Sequence, residues 1–235
     1  MVQSMRPRGL IIGAWAVTAL TFFALILFIF LKTPVAQPQA GGLAQKIFYF
    51  HVPAAYALYL CGAVCFLASV LYLAGPSDAK DAWAKAGAEC ASIFGGLVMV
   101  SGPLWAKKAW GVYWTWDPRL TTLLLSILVY VAIVLLRSFA GGGEAEKKFA
   151  AAFGVLGTAN LPIIHYSVQK WGGNHPTVIG KGGGGLKDPA MVQALMGGFF
   201  AMTLLAALLL LLRAQLAQSQ ARLLRAEELA PDTNG

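Results

Sequence analysis

The sequence predicts an all-α membrane protein with six transmembrane helices and exported loops that carry a tryptophan-rich interfacial segment. Of the 235 residues, 58% are hydrophobic and 12% are charged, about half the charged fraction of a soluble globular domain. The hydrophobic residues form six runs, each about long enough to cross roughly 30 Å of hydrocarbon as a helix. We therefore expect residues 1–235 to form a single six-span membrane domain.

The hydrophobic runs give approximate bounds for the six spans. The first run follows Arg6 and Arg8 and is longer than the apolar core of a signal peptide, so we expect it to be retained. The polar segment 213–235 is expected to be a cytoplasmic tail. The predicted spans are 9–31, 52–74, 86–106, 120–136, 149–168 and 189–212.

Six spans place both termini on one side of the membrane and loops 32–51, 107–119 and 169–188 on the other. The terminal side has ten basic residues and the loop side has eight, which favours cytoplasmic termini. Only two acidic residues accompany those eight, whereas eight accompany the ten. The cationic exported face predicts an anionic ligand. The basic residues form no block, so we expect no nucleic-acid binding.

Three of the seven tryptophans lie within residues 110–117, next to Tyr113 and followed by Pro118. Aromatic rings with a polar edge favour the membrane–water boundary. If this segment is helical, Trp110, Tyr113, Trp114 and Asp117 share one face. The simpler alternative is an interfacial belt, with Asp117 as a helix N-cap and Pro118 as the first residue of the next helix. The local concentration of rings favours a planar hydrophobic ligand.

Two of the three histidines lie in exported loops, on the same side as the tryptophans. His51 closes the first loop after three aromatic residues, and His175 lies in the third loop. Either one alone is more often a surface or helix-end residue. Together with aromatic rings and cations they match haem, which takes axial nitrogen ligands and whose propionates favour basic residues. The candidate propionate contacts are Lys107, Lys108 and Arg119.

Two further residues are polar groups within the predicted spans. His165 follows Pro162 in span five, and we expect a core histidine that satisfies helix polar groups near a kink. The alternative is an intramembrane haem or quinone ligand. Glu89 lies four residues after Lys85, so we expect these two to pair near the membrane edge rather than to relay protons.

The cysteines predict neither a disulfide framework nor a covalent haem site. Cys61, Cys65 and Cys90 all lie inside apolar runs, where thiols are most often inert core residues. The sequence contains no C-x-x-C-H motif, so it is not expected to be a c-type cytochrome.

Three motifs carry a resemblance to a known family. The pattern W-G-x-x-W-x-W-D-x-R-L-T over residues 110–121 resembles the WWD signature of haem-handling membrane proteins. The segments YFHVPAA at 49–55 and NLPIIHYSV at 160–168 resemble the flanking signatures of one branch, the CcmC family (haem exporter protein C) of cytochrome c maturation. The resemblance covers roughly residues 45–200.

This resemblance implies a multi-pass protein of the bacterial inner membrane that holds haem b transiently at the periplasmic surface. It implies that His51 and His175 are the axial ligands of the haem iron. The implied partners are the haem chaperone CcmE, the ABC subunits CcmA and CcmB, and the small subunit CcmD. No catalytic residue is expected. The implied haem platform consists of Trp110, Tyr113, Trp114, Trp116 and Asp117.

Three other classes of function stay open at the level of sequence. A b-type cytochrome or quinol-binding redox subunit would use His165 as an intramembrane ligand, paired with another deep histidine. A haem permease would need a polar file across the helices, where the sequence offers little beyond Glu89, Asn160 and His165. A scaffold that only docks the ABC subunits would bind no haem.

Overall fold

The computed structural model describes residues 8–36, 41–139, 142–173, 186 and 188–229. Within these residues the chain forms seven α-helices and one short 3-10 helix, with no strand. The 3-10 helix Gly42–Ile47 leads directly into the second α-helix. The α-helices are α1 Arg8–Lys32, α2 Phe48–Ala74, α3 Asp78–Trp110, α4 Pro118–Phe139, α5 Glu144–Ala159, α6 Leu161–Trp171 and α7 Pro189–Leu229.

Six stretches of the described residues are helical, long and apolar enough to cross a membrane, which confirms the predicted fold class. The helices extend past the apolar runs, because hydropathy marks only the apolar part of a helix. Thus α2 begins at Phe48 rather than Val52, α3 spans Asp78–Trp110 rather than 86–106, and α7 continues past 212 to Leu229. His51 consequently lies in the first turns of α2 and not in a loop.

The fifth span consists of two helices, α5 and α6, which meet at Asn160. The Asn160 side-chain amide donates to the Thr122 carbonyl oxygen at 2.7 Å and to Ser126 Oγ at 2.8 Å. Pro162 has no N–H to continue the backbone ladder at this point. Asn160 therefore joins the break between α5 and α6 to α4 through two hydrogen bonds.

Helices α2 and α3 form the centre of the bundle, and small residues let their backbones approach closely. A Cβ added to Gly87 would lie 2.6 Å from the Cys65 nitrogen, so a larger residue does not fit. Close packing of this kind is a main source of helix association in membranes. The thiols of Cys61, Cys65 and Cys90 are buried in this core.

Helix α1 lies at the edge of the bundle against α7, and its carboxyl end is held by Lys46. The Lys46 ammonium donates to the carbonyl oxygens of Ile29 at 2.7 Å and Thr33 at 3.2 Å, and it lies 5.2 Å from the Phe30 ring centroid. A lysine here satisfies carbonyls that the end of a helix leaves open. One of the cations expected on the exported face is therefore structural and buried.

Ion pairs join the helices at the opposite end of the bundle, where α1 begins and α7 ends. Arg137 of α4 donates to both carboxylate oxygens of Asp81, at 2.7 and 2.8 Å. Glu89 accepts from Arg213 Nε at 2.7 Å. The expected pairing of Glu89 with Lys85 is therefore wrong, since α7 extends far enough to supply a closer cation.

Candidate functional site

The tryptophan segment is a loop that links α3 to α4, and not a continuation of α3. Helix α3 ends at Trp110, and Gly111 adopts a left-handed conformation with φ +77°. Glycine takes this conformation readily, and it ends helices frequently. The Lys107 ammonium caps the turn by donating to the Gly111 carbonyl oxygen at 2.9 Å. The helical face proposed for this segment is therefore wrong.

The indole rings are instead arranged as two edge-to-face pairs. Trp105 and Trp110, five residues apart on α3, have ring centroids 5.3 Å apart, and Trp114 and Trp116 in the loop have centroids 5.6 Å apart. Trp116 is 76% exposed, whereas Trp114 is partly buried. At this end of the bundle, the second pair thus has one partly buried indole ring, Trp114, and one exposed indole ring, Trp116.

Asp117 connects this loop to α4 as a helix cap. Its Oδ1 accepts from the Leu120 backbone N–H at 2.8 Å, and Pro118 is the first residue of α4. The predicted N-cap is confirmed, although the carboxylate is only 8% exposed. Its second oxygen, Oδ2, lies close to Gly173, on which an added Cβ would be 3.4 Å from that atom.

Three polar atoms within four residues of the loop are buried and lack a hydrogen-bond partner among the described residues. They are Trp114 Nε1, Thr115 Oγ1 and Asp117 Oδ2. Buried polar atoms in proteins are nearly always satisfied, and an unsatisfied one costs about 1–3 kcal/mol. The loop therefore offers two hydrogen-bond donors and one carboxylate acceptor to a ligand or to another segment.

His51 lies on α2, opposite the last turns of α3. Its Nδ1 is 2.9 Å from Ser101 Oγ, and the Ser101 hydroxyl donates to the Leu97 carbonyl oxygen at 2.6 Å. The imidazole also packs over Gly102, on which an added Cβ would lie 3.1 Å from Cε1. The ring is only partly buried.

The histidine and the loop lie at similar depths in the bundle. Gly95 of α3 packs against Ile127 of α4, with an added Cβ 2.7 Å from Ile127 Cγ1. From this contact, Ser101 is about 9 Å and Asp117 is about 15 Å towards the tryptophan end, at 1.5 Å per helical residue. His51 and Asp117 are therefore within roughly two helical turns of each other in depth.

The candidate propionate cations have different surroundings. Lys107 is bound to Gly111 and lies 5.2 Å from the Tyr113 ring centroid, and Lys108 is exposed. Arg119 donates from Nη2 to the His165 carbonyl oxygen at 3.1 Å. Lys107 thus helps to hold the loop and Arg119 contacts α6, and both also supply positive charge.

The remaining histidines differ from the first. His165 is exposed on the outer surface of α6, with its ring centroid 5.0 Å from that of Tyr166. The expected core histidine is therefore wrong, because the buried residues of α6 are Leu161, Ile164 and Ser167 among those whose side chains are described. His175 lies outside the described residues.

Several residues of this region were not singled out from the sequence. Ser101, Gly102 and Gly173 contact His51 or Asp117 across 50 or more residues of chain, and no local pattern marks such contacts. Trp105 had a signal, because it lies near the end of the predicted span 86–106, five residues before the tryptophan segment.

The chain is similar to proteins of one known family. The profile of the CcmC family, described as "Heme exporter protein C", matches residues 4–228. The chain is 33% identical over 165 residues to "Heme exporter protein C" of Bradyrhizobium diazoefficiens, covering 70% of this chain and 63% of that relative. It is 34% identical over 179 residues to the Escherichia coli K12 protein of the same name, covering 73% and 69%.

A plant relative extends the comparison beyond bacteria. The "Putative cytochrome c biosynthesis ccmC-like mitochondrial protein" of Marchantia polymorpha is 30% identical over 177 residues, covering 74% of this chain and 72% of the relative. The profile match spans nearly the whole chain and includes the tryptophan loop and His51. The chain belongs to the CcmC family.

Proposed function

We propose that this protein binds haem b transiently at the periplasmic face of the bacterial inner membrane and delivers it to the haem chaperone CcmE for c-type cytochrome maturation. His51 and His175 are the axial ligands of the haem iron in this proposal. The protein has no catalytic residue and acts by binding and release. The haem platform consists of Trp110, Tyr113, Trp114, Trp116 and Asp117.

One observation carries the proposal: His51 lies at the same end of the bundle as a tryptophan loop whose buried polar atoms lack partners among the described residues. An exposed indole beside an anchored one provides apolar contact for a flat macrocycle. An imidazole nitrogen is a common axial ligand of haem iron. The names of the relatives support haem as the ligand.

The cations near the loop suit the haem propionates. Lys108 is exposed one residue from Lys107, and Arg119 follows the capping Asp117 in the first turn of α4. Basic side chains pair favourably with carboxylates, and arginine does so in a two-point geometry. Arg119, Lys107 and Lys108 are therefore the proposed propionate contacts.

The open form of the site suits transfer rather than storage. Trp116 and Tyr113 are 76% and 58% exposed, so bound haem would keep one side accessible to a partner. A partner histidine that replaces one axial ligand would then draw the haem away. This step is ligand exchange and needs no change in the covalent structure of the haem.

The proposed topology and partners follow from the family and the charge pattern. Both termini lie in the cytoplasm, and the tryptophan loop lies in the periplasm. The ion-paired end of the bundle would then face the ABC subunits CcmA and CcmB, and the small subunit CcmD would associate with the spans. A redox subunit is the less suitable alternative, since its intramembrane ligand would be His165, which is exposed.

A transfer experiment tests this function. Detergent-purified protein loaded with haem is mixed with haem-free CcmE, the two are separated, and the Soret absorbance of each is recorded. We expect the Soret band to move to CcmE, and we expect His51→Ala protein to load little haem. Haem that stays with the loaded protein indefinitely would contradict a delivery role and favour a redox subunit.

A further inference from the structure

The hydrogen bonds of Ser101 determine which nitrogen of His51 carries the proton. A carbonyl oxygen only accepts, so the single Ser101 hydroxyl proton must point to the Leu97 carbonyl oxygen, 2.6 Å away. Towards His51 Nδ1, 2.9 Å away, Ser101 Oγ is then an acceptor. Nδ1 must therefore carry hydrogen, and in the neutral ring Nε2 is the unprotonated nitrogen.

This arrangement is the one that metal-binding histidines usually show. Histidine ligands usually donate their second N–H to a fixed acceptor, which sets the tautomer, orients the ring and raises the basicity of the ligating nitrogen. Ser101 is itself fixed, because its hydroxyl is bound to the backbone of its own helix one turn earlier. A residue of α3 thus fixes the orientation of the His51 ring on α2.

Gly102 completes the arrangement by leaving space for the ring. An added Cβ would approach Cε1 of His51 to 3.1 Å, the carbon between the two ring nitrogens. A side chain there would displace the imidazole by a few tenths of an ångström. Ser101 therefore supplies the hydrogen-bond acceptor for Nδ1–H, and Gly102 leaves the space that the imidazole ring needs.

We propose that Ser101 is the positioning residue of the His51 ligand: it holds the Nδ1–H tautomer and presents Nε2 to the iron. This inference rests on the proposed function, since it takes His51 to be a haem ligand. Loss of such outer partners typically weakens metal binding by about 10–100-fold. We expect a loss of that size in haem affinity for Ser101→Ala, with restoration to near the native value in Ser101→Thr, which keeps the hydroxyl.

The matched control is Ser92→Ala on the same helix. Ser92 donates to the Ala88 carbonyl oxygen at 2.9 Å, the same bond that Ser101 makes to Leu97. Removing Ser92 therefore removes an equivalent helix bond without touching the imidazole. We expect its haem affinity to match that of the native protein.

The experiment titrates each detergent-purified variant with haem, follows the Soret band, and records the midpoint potential of the bound haem. A purely structural role of Ser101 would change stability but not the potential. Loss of the acceptor lowers the basicity of the imidazole, so the potential in Ser101→Ala should move to more positive values. Ser92→Ala and Ser101→Thr should leave it unchanged.

The outcomes separate this inference from the proposed function. If His51→Ala binds haem as the native protein does, the ligand assignment fails and the inference fails with it. If His51→Ala loses haem while Ser101→Ala keeps native affinity and potential, only the inference is overturned. If Ser101→Ala does not fold, Gly102→Ala gives the decision. A weakened, shifted haem supports the inference, and a native spectrum and affinity contradict it.

Discussion

At the scale of single residues, the two carboxylate oxygens of Asp117 have different surroundings. Oδ1 caps α4 by accepting from Leu120, while Oδ2 is buried without a partner among the described residues. An ordinary cap would leave its second oxygen in water. We propose that this buried oxygen, which lies beside Gly173, also takes part in the haem site.

Substitution of Asp117 separates the roles of the two oxygens. Asp117→Asn keeps an oxygen for the Leu120 N–H, so thermal unfolding in detergent should stay near that of the native protein. Asp117→Ala loses the cap and should be less stable by about 1 kcal/mol. Both variants should bind haem several-fold more weakly in a Soret titration, because neither keeps the acceptor oxygen at the Oδ2 position.

Ser77→Ala is the matched control for the cap. Ser77 Oγ accepts from Lys80 N at the start of α3, at the opposite end of the bundle. This variant should lose stability similar to that lost by Asp117→Ala but keep native haem affinity. Unchanged haem binding in Asp117→Asn would show that Oδ2 has no role in the site.

At the scale of helices, close contact between α7 and the start of α2 positions His51. Pro53 has no N–H, so the Tyr49 carbonyl lacks its usual helical partner. Gly198 of α7 packs against that carbonyl, and an added Cβ would lie 2.5 Å from its oxygen and 2.8 Å from Pro53 Cγ. The first turns of α2, which carry His51, therefore rest on α7.

Gly198→Ala should push α7 away from the first turns of α2. Overpacking of this kind costs about 1–3 kcal/mol, and we expect a lower unfolding temperature together with weaker haem binding. Gly96→Ala on α3 is the control, because no atom lies within 4 Å of its added Cβ. It should be neutral or stabilising by about 0.5–1 kcal/mol. Equal behaviour of the two variants would contradict the packing argument.

Lys46 gives a prediction for the first helix. Lys46→Met keeps much of the side-chain volume but removes the donor to the Ile29 and Thr33 carbonyls. Hydrogen exchange at the carboxyl end of α1 should therefore become faster, while exchange in α2 and α3 stays slow. Lys108→Met, an exposed change at the same end, should leave exchange in α1 unchanged.

At the scale of the whole molecule, the two ends of the bundle differ in chemistry. One end carries His51 and the tryptophan loop, and the other is fastened by ion pairs between helices. The Arg137 and Asp81 side chains are only 8% and 11% exposed. Breaking a buried pair leaves an uncompensated charge, whereas replacing both members removes it.

Substitutions at this pair should change stability without changing haem affinity. Asp81→Ala should cost about 3–5 kcal/mol, seen as a large drop in unfolding temperature. The double variant Asp81→Leu with Arg137→Met should recover most of that loss. Where the variants remain folded, their Soret titrations should match that of the native protein. Strong loss of haem binding in a folded variant would mean that the two ends are coupled.

Much of the fold follows from the sequence because each span is a local hydrophobic run. The cap at Asp117 was also local, since Pro118 and the next apolar run follow it directly. The predicted helical face of the tryptophan segment was wrong because Gly111 ends α3, and residue spacing alone does not reveal a left-handed turn. The predicted partner of Glu89 was wrong because the actual partner, Arg213, is 124 residues away in the sequence. The contact of Ser101 with His51 is similarly long-range and lies outside any motif.

The most direct measurement of the central claim is the low-spin haem signal, by Soret absorbance and electron paramagnetic resonance, of the purified protein and three histidine variants. His51→Ala and His175→Ala should each lose the low-spin signal, because each removes one proposed axial nitrogen. His165→Ala, on the exposed face of α6, should keep it. A low-spin signal that survives in His51→Ala and disappears in His165→Ala would contradict the account.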